Sequence, residues 1–264
     1  MNRIITLTSD FGLNDAYVAI MKGVILKISP AASLIDITHT VSPQDIMEAA
    51  FILKNAVPYF PPETIHLVVI DPGVGTARKA VALRKDTQWF VGPDNGLFSL
   101  LLNGEPPDEA VELDNPAYWQ TKTPSNTFHG RDIFAPIAAY LSLHKPLHAL
   151  GTPIASLSRL QWALPIADKQ GVQGWVVHVD RFGNCVTNIS RNLIDKQRNG
   201  KLVKCYVGTS ILDKINTTYG EKPTGEPLML FDSNELLEIA VNTGNASELL
   251  NIRKGSPVNL VFLD

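Results

Sequence analysis

Three short clusters place carboxylates directly after apolar runs: Ser9-Asp10, then Asp71-Pro-Gly-Val-Gly75 followed by Arg78, then Pro93-Asp94-Asn95. Loops leaving the strand ends of an open α/β sheet are where ligand-binding side chains collect, so these clusters point to one crevice. Carboxylates accept bidentate hydrogen bonds from a ribose diol and attract a cation, which sets the kind of ligand they suit. A fourth cluster, Thr127-Phe-His-Gly-Arg-Asp132, is a polar turn opening a helix that continues through Phe134, Ala138 and Leu141. His129 is its acid–base candidate, because imidazole changes charge near neutrality. In the second half, Asp180-Arg-Phe-Gly-Asn184-Cys-Val-Thr-Asn188 gathers Asn and Asp around a glycine, and an Asn amide offers donor and acceptor together to an adenine edge. Asp232-Ser233-Asn234 is a similar cluster. Singly, each has a plainer reading: turn-former or cap for the carboxylates, ion pair for Asp71 and Arg78, helix cap for His129, hairpin turn for Asp180 to Asn188.

Other chemistries fit poorly. Arg78 stands where the third glycine of GxGxxG belongs, and neither a GxxxxGK[ST] loop nor a GxSxG elbow occurs. His144 and His148 have helical i, i+4 spacing, but Pro146 breaks the helix and the HExxH glutamate is missing, so no metal is expected. Cys185 and Cys205 lack CxxC spacing and read as small buried hydrophobes.

Elements that would position these groups can be traced along the chain. Arg3–Thr8, Ser33–Thr38, Ile65–Ile70, Lys79–Arg84 and Gln88–Val91 are short β-branched or apolar runs that end at turn residues. The Ile65 run lacks alternation, as a strand covered on both faces would. Between them, Tyr17, Ile20, Met21, Val24 and Ile28 form one helical stripe ended by Pro30. Ser42-Pro43-Gln44-Asp45 supplies a cap hydroxyl and a first-turn proline for a second helix, with Ile46, Ala49, Ala50 and Leu53 on its buried face. Beyond a proline-rich connector, Gly174–Val179, Cys185–Ile189, Lys201–Val207, Pro227–Phe231 and Pro257–Leu263 read as strands, with Asn245–Leu250 as the one late helix.

The expected architecture is an α/β domain over 1–155, a central sheet with helices on both faces, then a linker over 156–170 and a smaller all-β, barrel-like domain over 171–264. The 264 residues suffice for both cores. With 23 Lys plus Arg against 26 Asp plus Glu and no charge blocks, neither nucleic acid nor an anionic membrane is an expected partner. The apolar run at the start is too short for a signal-peptide core, and a soluble cytoplasmic protein is expected.

Five motifs, in order, resemble the S-adenosylmethionine hydroxide adenosyltransferases, hydrolytic relatives of the fluorinase and chlorinase: Thr8-Ser-Asp-Phe-Gly12, Asp71-Pro-Gly-Val-Gly75 with Arg78, Gly92-Pro-Asp-Asn-Gly96, Phe128-His-Gly-Arg-Asp132, and Asp180-Arg-Phe-Gly-Asn184-x-x-Thr-Asn188. The late Ile239-Ala-Val-Asn-x-Gly-Asn-Ala246 extends the resemblance over nearly the whole chain. It implies hydrolysis of S-adenosylmethionine to adenosine and methionine without a cofactor, in a homotrimer with active sites between neighbouring subunits. It further implies a catalytic trio of Asp71, Arg78 and His129, with substrate contacts from Asp10 (ribose hydroxyls), Asn95, Asp180 (methionine ammonium), Asn184 (adenine side), Ser233 (methionine carboxylate) and Ala246. Halogenating relatives carry tyrosine at the Asp71 position and lack the histidine, so the resemblance favours the water-using branch over the alternatives of a halogenase or a non-catalytic binder. Asn234 departs from the halogenases, which place an arginine there. In the trio, Asp71 paired with Arg78 reads as a dependable acceptor but a weak base, which leaves His129 open as the proton acceptor or as a group that orients the water.

Overall fold

A computed structural model describes residues 3–160 and 164–263; residues 161–163 of the expected connector lie outside the described residues. The chain divides into two compact units, Met1–Leu160 and Gln161–Asp264.

The first unit is built on strands β1 (Ile4–Ser9), β2 (Ser33–Thr38), β3 (Ile65–Val69), β4 (Ala80–Lys85), β5 (Gln88–Pro93), β6 (Glu109–Glu112) and β7 (Thr152–Pro153), in the spatial order β2-β1-β3-β5-β4-β6-β7. The β2-β1, β1-β3 and β3-β5 pairs are parallel, and the remaining pairs are antiparallel. Helices α1 (Tyr17–Ile28) and α2 (Ile46–Ala56) supply the long crossovers that parallel neighbours require. Every residue of β3 is buried, because successive side chains feed opposite cores. Leu67 and Val69 join Met21, Ile25, Phe134 and Ala138, from α1 and the segment leading into and through α4 (Ala135–Ser142). Val68 and Ile70 join Ala49, Leu53 and Leu102, from α2 and α3 (Ser99–Leu102). A short helix, α5 (Leu147–Leu150), precedes β7. Ser9 pairs in register with Val69, so the loops beginning at Asp10 and Asp71 leave the sheet side by side.

Helices α1 and α2 each differ in one detail from the sequence expectation. The buried face of α1 is Val18, Met21, Val24 and Ile25, while Tyr17 and Ile20 are exposed. The cap of α2 is Asp45, whose carboxylate accepts the Glu48 N–H at 3.1 Å; Ser42 and Pro43 lie in the preceding turn, and Gln44 between them and the cap adopts φ +65°. A left-handed residue cannot continue a helical turn, so the helix starts after it.

The second unit contains β8 (Ile166–Ala167), β9 (Gly171–Val179), β10 (Cys185–Ser190), β11 (Leu202–Val207), β12 (Ser210–Leu212), β13 (Ile215–Asn216), β14 (Pro227–Phe231), β15 (Leu236–Val241) and β16 (Pro257–Leu263). They form a nearly closed, barrel-like sheet in the order β12-β11-β16-β9-β10-β15-β14-β13, with β8 added on β9 and only the β13-β14 pair parallel. Cys185 and Cys205 are unpaired and buried in its core. Besides α7 (Ala246–Leu249), capped by Asn245, the unit has a helix the sequence reading missed, α6 (Arg191–Arg198), capped by Ser190. Among the described residues no helix is long and apolar enough to cross a membrane.

Candidate active site

Asp71, Arg78 and His129 form one hydrogen-bonded unit. The Asp71 carboxylate is held in two-point fashion by Arg78: Nε donates to Oδ1 at 2.8 Å, and Nη2 donates to Oδ2. The second Nη2 hydrogen is directed to His129 Nδ1, 2.7 Å away. The ion pair is nearly enclosed, with side chains 6% and 10% exposed, and the guanidinium carbon lies 5.3 Å from the centre of the buried Phe134 ring.

Local backbone chemistry brings these residues together. Residues 71 to 76 fold into overlapping turns, Val74 N–H to Asp71 O and Thr76 N–H to Gly73 O. Gly75 has φ +76°, and a Cβ there would stand 2.3 Å from Asn126 O, so only glycine lets this turn pack against the 126 loop. That loop is pinned from below by fully buried Asp132, which accepts the Ser125 N–H at 2.8 Å and an Arg131 pair. His129 sits immediately before a π-helical turn, Gly130–Phe134, and its side chain does not cap it. Such turns are rare and cluster at functional sites.

The charge state of His129 follows from its surroundings. An arginine N–H can only donate, so Nδ1 must accept, which leaves the proton on Nε2. Burial and then the Arg78 charge push the imidazole below its ordinary range, with weaker opposition from Asp71 and Asp132. His129 is therefore a neutral ring that donates from Nε2. In this arrangement Nδ1 is occupied by the Arg78 hydrogen bond and Nε2 carries the ring's proton.

Asp71 and His129 line a cavity of about 310 Å³ together with Asp10, Phe11, Gln44 and Phe128. Asp10 Oδ2 accepts the Gln44 N–H at 2.8 Å. Phe11, Tyr17 and Phe128 make a mutually tilted aromatic cluster with centroids 5.2 to 5.8 Å apart, which accounts for the exposure of Tyr17 away from the helix core. Gln44 and the two phenylalanines were not singled out as site residues; Gln44 was hidden inside what read as a helix cap. Asn95 is outside this lining. Its amide donates to Ile70 O at 2.9 Å and accepts the Leu97 N–H at 3.2 Å, tying the β5 loop to the end of β3.

In the second unit, Asp180 and Asn184 belong to one tight turn. Asp180 Oδ1 accepts the Phe182 and Asn184 N–H groups, each at 2.9 Å, and Oδ2 accepts the Asn184 amide at 3.0 Å. Gly183, at φ +86°, packs so closely on Asn245 that a Cβ would lie 2.1 Å from its Oδ1, and Gly183 O accepts the Ser247 N–H. Buried Ala246 is thereby brought beside this turn. Ser233 is exposed in the β14–β15 turn, which Asp232 organises by accepting the Asn234 and Leu236 N–H groups.

The chain matches the model described as SAM hydroxide adenosyltransferase N-terminal domain over residues 5–151 and the corresponding C-terminal domain over residues 174–259. It is 42% identical to a Thermus thermophilus protein named (R)-S-adenosyl-L-methionine hydrolase, over 98% of this chain and all of that one. A more distant relative, 27% identical over 98% of this chain and 97% of its own length, is named fluorinase, from an Actinoplanes species. A solved structure of an uncharacterized conserved protein from Thermotoga maritima superposes with a TM-score of 0.88 at 40% identity, covering 98% of this chain and 99% of that one.

Proposed function

This chain belongs to the SAM hydroxide adenosyltransferase family, and from that premise we infer that it hydrolyses S-adenosylmethionine at the ribose C5′ to give adenosine and L-methionine. The observation that carries the reading is the Asp71–Arg78–His129 unit on the wall of a cavity that also holds Asp10. Water attacks C5′, the C5′–S bond breaks, and its electron pair stays on sulfur, so a sulfonium leaves as a neutral thioether. Departure is easy, and the protein's task is to position the water and receive its proton.

His129 Nε2–H donates to the water oxygen, while Asp71, whose oxygens keep lone pairs beyond those engaged by Arg78, accepts the proton and passes it to solvent. Arg78 holds both partners and fixes the histidine tautomer. Asp10 receives the ribose hydroxyls. In the second unit, Asp180 meets the methionine ammonium, Asn184 and Ala246 the adenine side, and Ser233 the carboxylate. Asn95 acts from behind, by shaping the loop after β5. Substrate and water suffice, and no cofactor is invoked. A carboxylate at position 71 repels halide, which favours water over halide as the nucleophile.

The working form in this reading is a homotrimer in the cytoplasm. Trimer assembly is carried over from the family resemblance. Two unpaired cysteines suit a reducing compartment. The reaction is tested by incubating the full chain with S-adenosylmethionine in oxygen-18 water and separating the products. Label in the adenosine 5′-hydroxyl is the expected result; release of adenine, or of a 5′-haloadenosine in excess halide, overturns it.

A further inference from the structure

Behind Asp10 runs a second hydrogen-bonded chain, separate from the water-handling trio. At the end of β1 the fully buried Ser9 hydroxyl lies 2.7 Å from His39 Nδ1, and His39 Nε2 lies 3.0 Å from Asp36 Oδ1. Asp36 Oδ2 accepts the Lys22 ammonium at 2.6 Å. Ser, His and Asp in series have the composition of a nucleophilic triad. Ser9 has no exposed surface, however, so it cannot reach a substrate, and the chain must serve another purpose.

The Asp36 carboxylate can only accept, so it receives the hydrogen bond from Nε2–H, while one hydrogen is shared between His39 Nδ1 and the Ser9 hydroxyl. Ser9 Oγ also lies 3.4 Å from the Phe11 N–H. His39 grips the same loop a second time through its backbone, where its carbonyl accepts the Gly12 N–H at 2.7 Å. Asp10 thus lies between two anchors on one buried residue, Ser9 on one side and Gly12 on the other. Its own carboxylate is held by the Gln44 N–H.

We propose that His39, oriented by Asp36 and acting through Ser9, is a positioning residue that sets the Asp10 carboxylate against the ribose hydroxyls. The proposal rests on the reading of Asp10 as the ribose ligand. Aligned hydrogen bonds of this kind polarise one another and stiffen a loop. Misplacement of a binding group by about 1 Å is costly enough for such stiffness to matter.

The test uses the full chain carrying His39→Ala, Ser9→Ala, Asp10→Ala, or His39→Ala with Asp10→Ala. Calorimetry measures binding of adenosine and of 2′,3′-dideoxyadenosine, which lacks the diol. His39→Ala and Ser9→Ala are expected to weaken adenosine binding about tenfold, or about 1.4 kcal/mol. They should raise KM more than they lower kcat, leave dideoxyadenosine binding unchanged, and add no loss once Asp10 is alanine. Adenosine binding at the wild-type level in both variants, equal weakening of both nucleosides, or a loss additive with Asp10→Ala refutes the proposal. Should His39→Ala fail to fold, Ser9→Ala decides alone by the same measurements. A wild-type chain that binds dideoxyadenosine as tightly as adenosine refutes the ribose reading of Asp10 itself, an outcome distinct from the others.

Discussion

Replacing Asp71 by Asn separates the two candidates for proton acceptor. The amide keeps the carboxylate's shape but loses its charge, and the structure limits what else changes. Arg78 is only 10% exposed and has Asp71 as its two-point anion, so removing that charge leaves an enclosed guanidinium without compensation. Breaking a buried pair in this way costs about 3–5 kcal/mol, and the lower end applies because the pair borders a cavity that admits water. Loss of a positioned general base costs about 10²- to 10⁴-fold in kcat, equivalent to about 2.7–5.4 kcal/mol of barrier. His129→Gln removes a titratable ring but can place an amide N–H near the former Nε2–H, so its loss should be nearer tenfold. Adenosine release by chromatography gives kcat and KM for both variants, and calorimetry confirms that substrate still binds. Asp71→Asn within about fivefold of wild type, or His129→Gln falling as far as Asp71→Asn, refutes the donor role assigned to His129 and the acceptor role assigned to Asp71.

Three further outcomes follow from the structure. Burial pushes the His66 imidazole down to about 4, and burial with Arg78 lowers that of His129, so both rings favour the uncharged form in the folded chain. The unfolded chain binds the extra protons first, so stability is complete above about pH 6.5 and falls as pH drops toward about 4 for His66. Urea midpoints at pH 7 and pH 4.5 should differ less in His66→Gln than in wild type. The acid limb of kcat, which depends on neutral His129, should lie below 6.5, the ordinary imidazole value. Gly75→Ala forces a side chain onto Asn126 O at φ +76° and should cost at least about 1–3 kcal/mol. Because the turn must shift, activity should fall with it, as a paired rate and urea-midpoint measurement would reveal.

Which parts of this molecule were legible in its sequence depends on whether the signal was local. The strands of the first sheet could be read because continuous burial leaves a continuous apolar run, as at β3, where all five residues are enclosed. Helix α6 could not, since Arg-Asn-Leu-Ile-Asp-Lys-Gln-Arg has only the adjacent Leu193 and Ile194 as apolar residues and is too short for an i, i+3, i+4, i+7 repeat to show; its remaining signals were the Ser190 cap and the basic last turn. In α1 the apolar stripe was displaced because Tyr17 is apolar for a different reason: it packs on Phe11 and Phe128, which line the cavity, and sequence alone cannot separate a core side chain from one that packs on a surface ring. The same limit governs the polar residues. Asp71, Arg78 and His129 were nameable from type, spacing and resemblance, yet the tautomer that assigns their roles depends on one hydrogen bond spanning 51 residues. His39 drew no attention because its partner Ser9 is 30 residues away and both are buried, where a polar side chain carries no periodic mark. Asn95 illustrates the converse: a strand-end polar residue beside a carboxylate suggested a ligand, but its amide bridges Ile70 and Leu97 and thereby shapes the mouth of the sheet from which Asp71 emerges. Local pattern identifies which side chains gather at the strand ends; donor and acceptor accounting across distant segments separates those that line the cavity from those that hold the others in place.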